Sequence, residues 1–464
     1  MKIPEQIITE LKENFKIDIY LFEEAHKKTA PVSIRLNPLK PSCNLKFRGQ
    51  IQWATGAHYL SERPIFTNDP LFHAGCYYVQ EASSMFVEQA IKQTVDLSKQ
   101  LFVLDACAAP GGKSTLISSL LNDESLLVSN EVISTRVPVL AHNMAKWGSA
   151  NTLVSNNDPK DFLRFENFFD VIVVDTPCSG SGLFRKQEDA IEHWSMENVK
   201  HCSLRQQRIL HDLLPSLKQD GVLIYSTCSY SKEENENICD YICKEFSLET
   251  IQLKISDKWG ITEIQSDEKK ASGYRFFPHL TQGEGFFAAC FRKNMVSSKE
   301  DYVNSSEVEN RVQNKRTNKT FDRISSDEQN AIKKFLNAEN FEFINYVGEI
   351  VGFHKNVSGE IKALLSALKI KKIPLHVGQL KGKDFIPHPY SAYFTFLNEG
   401  VSRAEVDLET ALKYLKKQPF LLEDAPTGFT LLTYKNQGLG WLKNLTNRVN
   451  NYYPAEWRIL KDLF

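Results

Sequence analysis

Two cysteines occupy positions suited to chemistry. Cys178 lies in Asp175-Thr-Pro-Cys178-Ser-Gly-Ser-Gly182, and Cys228 in Tyr225-Ser-Thr-Cys228-Ser229. A thiolate is a strong nucleophile, and its neighbours decide whether it forms. Asp175 offers a carboxylate, Pro177 stiffens the turn, and Gly180 and Gly182 keep it open. Buried cysteines are usually just small packing groups. Here both follow the end of an apolar run and one has an acid beside it, so the pair reads as a site. A third motif is Asp105-Ala106-Cys107-Ala108-Ala109-Pro110-Gly111-Gly112-Lys113-Ser-Thr. Its end looks like a phosphate-binding P-loop, but Cys107 stands where that motif needs Gly. Small residues and a Gly pair instead let a ligand approach the backbone, with a helix N-terminus beyond to receive a carboxylate. About twenty residues on, Glu131 ends a second apolar run, where an acid can accept hydrogen bonds from both hydroxyls of a ribose. Asp158, after a third run, is placed to reach an adenine amino group. Together these describe a site for a ribose-bearing cofactor beside a cysteine pair.

The elements that must carry these residues alternate. Apolar runs at 101–104, 126–129, 151–155, 170–175 and 221–227 read as strands, with a late one at 285–292. Helical patterns fall at 114–121, at 134–146 with Ser134 as N-cap, and at 204–217. Strands apolar on both faces, alternating with helices, predict an α/β fold with a covered parallel sheet. Such sheets bind ligands at the carboxyl ends of their strands, and every motif above falls at such an end. Residues 1–98 read as a small mixed α/β domain and 99–294 as the catalytic domain. Residues 295–330, rich in Ser, Asn, Lys and Glu, read as a linker. Residues 331–384 and 385–464 read as small α+β modules.

Composition narrows the class. The 464 residues suggest about three domains. With 42% apolar residues and only 22 Gly and 18 Pro, neither disorder nor a collagen-like chain fits. No run is long enough for a membrane span, and the N-terminus has no apolar core like that of a secretory signal, so a cytoplasmic protein is expected. Nine cysteines without a CxxC pair suggest neither a disulfide framework nor a metal site. Net charge is −1, yet residues 331–464 hold 18 Lys/Arg against 13 Asp/Glu, a weak sign of a polyanion contact. Nothing indicates an obligate interface, so a monomer is expected.

Together the motifs resemble the RNA cytosine-5 methyltransferases of the Nop/Sun (Fmu) family. Asp105–Lys113 is similar to its S-adenosylmethionine loop, Asp175–Gly182 to its Pro-Cys motif, and Ser226–Ser229 to its Thr-Cys motif. Glu233-Glu-Asn-Glu236 follows at the family's spacing. Tyr78-Val-Gln-Glu-Ala-Ser-Ser84 and Arg35-Leu-Asn37 resemble its upstream elements; Thr176 replaces its usual Ala. Gly438-Leu-Gly-Trp441, Asn451-Tyr-Tyr-Pro454-Ala-Glu-Trp-Arg458 and His388-Pro-Tyr-Ser-Ala-Tyr393 resemble the PUA-like C-terminus of the bacterial small-subunit rRNA methyltransferase F group.

The resemblance implies a Rossmann-like class I S-adenosylmethionine-dependent methyltransferase domain with a PUA-like module. It implies RNA, specifically 16S rRNA or the small ribosomal subunit, as substrate; tRNA is the alternative, and a non-catalytic RNA-binding assembly factor a second. It places Ala106, Cys107, Ala108, Ala109, Pro110, Gly111, Gly112, Lys113, Glu131, Arg136, Asp158 and Asp175 around the cofactor. From the residues alone, either cysteine could attack carbon 6 of cytosine. The resemblance assigns attack to Cys228 and product release to Cys178, with Asp175 on the cytosine edge and Lys113 supporting the pocket. Toward the C-terminus, Tyr390, Tyr393, Phe394 and Phe396 are candidates for base stacking, and Lys371, Lys372, Lys381 and Lys383 for phosphate contacts.

Overall fold

The computed structural model describes residues 3–186, 189–294, 321–382, 384–422, 426–445 and 447–460. Its centre is a mixed sheet. Strands β1 (Phe102–Asp105), β2 (Leu126–Asn130), β3 (Thr152–Ser155), β4 (Phe169–Asp175) and β5 (Leu217–Thr227) run parallel in the order β5-β4-β1-β2-β3. β6 (Phe286–Lys293) pairs antiparallel with β5. The strands are apolar on both sides because both sides are covered. Val103, Val171 and Ile224 face α1 (Gly112–Leu120), α2 (Val137–Trp147) and the helix Val87–Thr94. Leu104, Ile172 and Leu223 face α3 (Met196–Leu213) and the helix Glu236–Glu245.

Several element ends differ from the sequence expectation, three of the starts most informatively. α2 starts at Val137 rather than after Ser134, with Pro138 in its first turn and Arg136 as N-cap. The preceding residues instead form a turn, Arg136 N–H to the Ile133 carbonyl. α3 starts at Met196, eight residues early, with Ser195 capping the Asn198 N–H at 3.1 Å. Its buried stripe includes Cys202 and Gln206, which blur the apolar period. β5 starts at Leu217.

The C-terminal region is less separate than expected. Residues 295–320 of the expected linker lie outside the described residues, but Ser326–Phe335 is helical, opened by a Ser325–Glu328 capping box. The helix Ser358–Ala367 packs on the α3 face of the catalytic sheet, and Ile370–Lys372 adds an antiparallel strand beside β3. The boundary read at 384 falls within a five-stranded sheet, at the start of its strand Asp384–Pro387. The last module, a four-stranded sheet with the helix Leu408–Leu415, shares a core with the N-terminal domain. There Ile34, Leu71 and Tyr77 meet Tyr414, Leu432 and Leu442. Among the described residues no helix is long and apolar enough to cross a membrane.

Two buried arginines fix the segments around the site. The Arg35 guanidinium donates to Thr115 Oγ1 at 2.6 Å and to Gln80 Oε1 at 3.2 Å, tying the N-terminal domain to the first turn of α1. Arg275 forms a two-pronged pair with Glu236, 2.6 and 2.5 Å, and donates to the Tyr230 carbonyl at 2.8 Å. Removing one member of a buried pair leaves the other charge stranded. Arg275→Ala is therefore expected to cost roughly 3–5 kcal/mol of stability. Thermal unfolding by calorimetry should show a midpoint lower by roughly 3–5 °C, and a shift under about 1 °C would contradict this account.

Candidate active site

The motifs meet at the carboxyl edge of the sheet. The loop after β1 is fastened to both neighbouring strands: Ala106 N–H donates to the Val173 carbonyl at 2.9 Å and Ala108 N–H to the Asn130 carbonyl at 2.8 Å. Gly111 takes φ +112 and caps α1, with a Cβ there only 3.3 Å from Leu140. Glycine suits both demands. Cys107 sits in this loop, its thiol pushed up by burial and then by Asp105, Asp175 and Glu131, so it keeps its proton.

Glu131 is 2% exposed. Its Oε1 accepts from Ile133 N–H at 2.9 Å; Oε2 lies 3.3 Å from Arg136 Nη1 and accepts no hydrogen bond. Arg136 also donates to the Ala109 carbonyl, so it braces the two loops. Asp105 accepts from Ser114 Oγ at 2.6 Å, while its other oxygen is buried without a partner. Asp158 stands at the rim. It caps Lys160 N–H and pairs with Arg208 at 2.9 Å, and these contacts outweigh burial and hold its carboxyl below the usual range.

Asp175 ends β4. Lys113 Nζ donates to its Oδ2 at 2.7 Å and Ser226 Oγ to its Oδ1 at 2.8 Å. Burial works against the lysine's charge, but Asp175 overcomes it and holds the ammonium above its ordinary pKa. β4 and β5 pair with Asp175 opposite Ser226, which brings the two cysteine loops side by side. The Cys178 and Cys228 sulfurs are 3.0 Å apart. The contact with Cys228, then burial and Glu234, push the Cys178 thiol well up, so it retains its proton. The loops interlock at Gly182, whose N–H donates to the Cys228 carbonyl at 2.9 Å. A Cβ on Gly182 would sit 2.4 Å from the Gly285 carbonyl oxygen, so no side chain fits.

Several contributors carry no signal that singles them out in sequence. Glu234 is fully buried and bonds both cysteine loops. Gln206 of α3 donates to the Pro177 carbonyl at 3.1 Å. Toward the C-terminus the structure corrects the expectations for Tyr393 and Lys372. Tyr393, 2% exposed, is packed near Tyr453 and Trp457, so it offers no face to a base. Lys372, also 2% exposed, donates to the Thr152, Ile373 and Pro374 carbonyls and is turned away from any phosphate. Tyr390 stacks on Trp457 at 5.5 Å, and Phe394 stacks on Phe396 at 5.2 Å. Lys371 and Lys381 are exposed; Lys383 lies outside the described residues.

One cluster among the described residues could be mistaken for a metal centre: Glu349, His376 and His388, with ligand atoms within 4.8 Å of one another. The outer ring nitrogens accept backbone N–H groups, His376 Nε2 from Ile373 and His388 Nδ1 from Tyr390, each at 3.0 Å. In the neutral rings the inner nitrogens must therefore carry the protons and point them at Glu349, at 3.0 and 3.6 Å. In that arrangement the two ring nitrogens present protons, not lone pairs, to the centre of the cluster.

A Rossmann-like sheet with an acidic strand end, a Gly-rich first loop and paired cysteines at the next two strand ends defines a class I methyltransferase. Comparison with known proteins agrees. The family described as 16S rRNA methyltransferase RsmB/F matches residues 92–292, the N-terminal domain of 16S rRNA methyltransferase RsmF matches 3–82, and the methyltransferase RsmF PUA domain matches 401–459. The ribosomal RNA small subunit methyltransferase F of Shewanella piezotolerans is 28% identical, with 93% of this chain and 91% of that protein covered. That of Vibrio vulnificus is 30% identical, covering 84% and 80%. A crystal structure of a methyltransferase homologue from Pyrococcus horikoshii superposes with a TM-score of 0.51 at 26% identity, covering 63% of this chain and 100% of that one. The chain belongs to the 16S rRNA methyltransferase RsmB/F family.

The unpartnered acceptors suit S-adenosylmethionine. Glu131 Oε2 and Asp105 Oδ1 are buried without a hydrogen-bond donor, so a ribose hydroxyl and a cation such as the α-ammonium would each find an acceptor there. Burial raises the Asp105 carboxyl to about 7, against the Ser114 hydrogen bond and the Lys113 charge. Without ligand the fold thus favours protonated Asp105, and ionising it costs stability as pH rises from the ordinary carboxylate range through about 7. A cationic ligand prefers the ionised form. Affinity for S-adenosylhomocysteine should therefore climb by roughly tenfold from about pH 5.5 to about 7.5 and then level off. Titration calorimetry of Asp105→Asn should give a flat profile; an unchanged slope would remove Asp105 as its source.

Proposed function

We propose that this protein methylates carbon 5 of a cytosine in small-subunit ribosomal RNA, using S-adenosylmethionine and a covalent bond from Cys228. The observation that carries this reading is the pair of cysteine sulfurs at the ends of adjacent strands, beside the Lys113–Asp175 couple. Carbon 5 of cytosine is too weak a nucleophile to accept a methyl group unaided. The Cys228 thiolate adds to carbon 6 and makes carbon 5 enamine-like. When bound, the cofactor supplies an electrophilic sulfonium methyl. Asp175 accepts hydrogen bonds from the cytosine amino group and from N3 as the ring takes up a proton, and Lys113 fixes that carboxylate in place. Cys178 serves the closing step: once its own proton has passed to solvent it takes the carbon 5 proton, and the electron pair left behind restores the ring as the Cys228–carbon 6 bond breaks. The base must leave its stack to reach this depth. Ala106–Gly112, Glu131 and Arg136 hold the cofactor, and Asp158, with Arg208, borders its adenine end. The C-terminal modules, with Lys371 and Lys381 exposed, dock the RNA, and the enzyme works in the cytoplasm.

The test is methylation of naked small-subunit rRNA and of assembled small subunits by the purified protein, read by nucleoside mass spectrometry and bisulfite sequencing. 5-Methylcytosine at a defined position is expected. No transfer to either substrate, or a methyl on the exocyclic amine, would overturn the reading; 5-methylcytosine in tRNA alone would move the substrate.

A further inference from the structure

Glu234 belongs to the Glu-Glu-Asn-Glu run, yet its side chain turns inward and has no solvent exposure. No arginine or lysine pairs with it among the described residues. Its carboxylate is instead held by three donors, two from the loop of one cysteine and one from the loop of the other. Ser179 donates its backbone N–H to Oε1 at 2.7 Å and its hydroxyl to Oε2 at 2.6 Å. Ser229 donates its hydroxyl to Oε2 at 2.5 Å. Ser179 and Ser229 each immediately follow a cysteine, and their hydroxyl oxygens are 3.2 Å apart. The neighbouring Asn235 fixes the same segment, accepting from Thr227 Oγ1 at 2.6 Å and donating to the Ser229 carbonyl at 2.9 Å. A carboxylate is the one side chain that accepts from three donors and offers none of its own. Burying one without a countercharge is costly, and its use here between two loops calls for a function.

We infer that Glu234 is a positioning residue that sets the separation of the Cys178 and Cys228 sulfurs, and through it the step that frees the methylated RNA. It reaches no reacting atom. It clamps the residue after each thiol, so the 3.0 Å sulfur contact is held by a link outside either cysteine. Without the clamp the parallel strand pairing still brings the loops near each other, but the sulfurs are free to separate. The inference about release rests on the function proposed above; the inference about sulfur placement does not.

Placement and release can both be measured on the full chain. Glu234→Gln keeps the shape but turns an amide N–H toward a donor. Ser179→Ala and Ser229→Ala each remove one hydroxyl and keep the carboxylate, so the test survives if the glutamine variant does not fold. The first readout needs no RNA. Diamide takes two electrons and two protons from a pair of thiols, becoming the hydrazine and leaving a disulfide; mass spectrometry of digested protein follows the Cys178–Cys228 linkage. In variants with unchanged melting temperature and S-adenosylhomocysteine affinity, this linkage should form at least about tenfold more slowly than in the wild type. On RNA, kcat should fall by roughly 30–100-fold with KM within about threefold, and protein–RNA adduct should accumulate on a denaturing gel. Linkage within about twofold of the wild-type rate in folded variants would overturn the placement. Unchanged kcat beside a slowed linkage would overturn the role in release. Slowed linkage in a protein whose wild type makes no 5-methylcytosine would uphold the placement and overturn the proposed function instead.

Discussion

Cys178→Ala protein is expected to leave cells covalently joined to RNA. The two sulfurs lie 3.0 Å apart, and contact with Cys228 pushes the Cys178 thiol well above its ordinary pKa. On the proposed mechanism Cys228, in the Thr-Cys motif, adds to carbon 6, and its sulfur is then tied up in the carbon–sulfur bond. Cys178 is the neighbouring sulfur, and once its own proton has passed to solvent it would take the carbon 5 proton as that bond breaks. Removing a positioned proton-transfer group typically slows a step by roughly 10²–10⁴-fold. Addition and methyl transfer would still proceed, so the adduct outlives cell lysis and runs as a retarded band on a denaturing gel. Cys228→Ala should show neither band nor turnover, and the double variant should show no band. A band from Cys228→Ala but not from Cys178→Ala would exchange the roles. Sequencing the RNA in the band would name the substrate independently of any relative.

The geometry behind that expectation is only partly readable in the sequence, and the reasons differ residue by residue. Asp105, Asp175 and Cys228 can be placed at strand ends because a parallel strand buried on both faces is a short unbroken apolar run with sharp polar ends. The adjacency of β4 and β5 is not readable that way, since pairing is a non-local fact, and it is what turns two cysteines into a pair. The start of α3 is hidden because its first two turns bury only Val199 and Cys202, too few apolar positions to show a helical period. Glu234 cannot be told from Glu233 by composition or spacing. What separates them is which one points at Ser179 and Ser229, and that depends on a 3-10 turn at Lys232–Glu234. The same limit accounts for the corrections toward the C-terminus. Lys372 and Lys371 are neighbours on a strand, so one must face in and the other out, and only the pairing of Ile370–Lys372 with β3 decides which. Tyr393 belongs to an aromatic cluster whose members come from distant stretches of the chain.

Asp175→Asn is the second substitution expected to stop the enzyme while leaving it folded. The Asp175 side chain is about a third exposed, so losing its charge costs the fold, through Lys113, less than it costs the proposed chemistry. As a carboxylate it accepts from Lys113 on one oxygen and from Ser226 on the other. An asparagine in the same place can satisfy one of these and must direct an N–H at the other, which repels Lys113 or displaces Ser226. It also offers a cytosine that has gained a proton at N3 a neutral partner in place of a negative one. Charge that develops only in the transition state is where such a group acts, and losing one directed partner costs roughly 10²–10³-fold in kcat. RNA KM and S-adenosylhomocysteine affinity should stay within about threefold, since neither free ligand carries that extra proton. Lys113→Met tests the other half of the couple. It leaves the carboxylate in place but unheld, so a smaller loss of kcat is expected, and Lys113→Arg should not restore it because a planar fork does not replace a compact ammonium. If Asp175→Asn raised KM and left kcat alone, the residue would be holding the ground-state base and the protonated ring would need another partner. If Lys113→Met proved more damaging than Asp175→Asn, the lysine would have to act on the ring directly, since a group that only steadies the carboxylate cannot be worth more than the carboxylate itself.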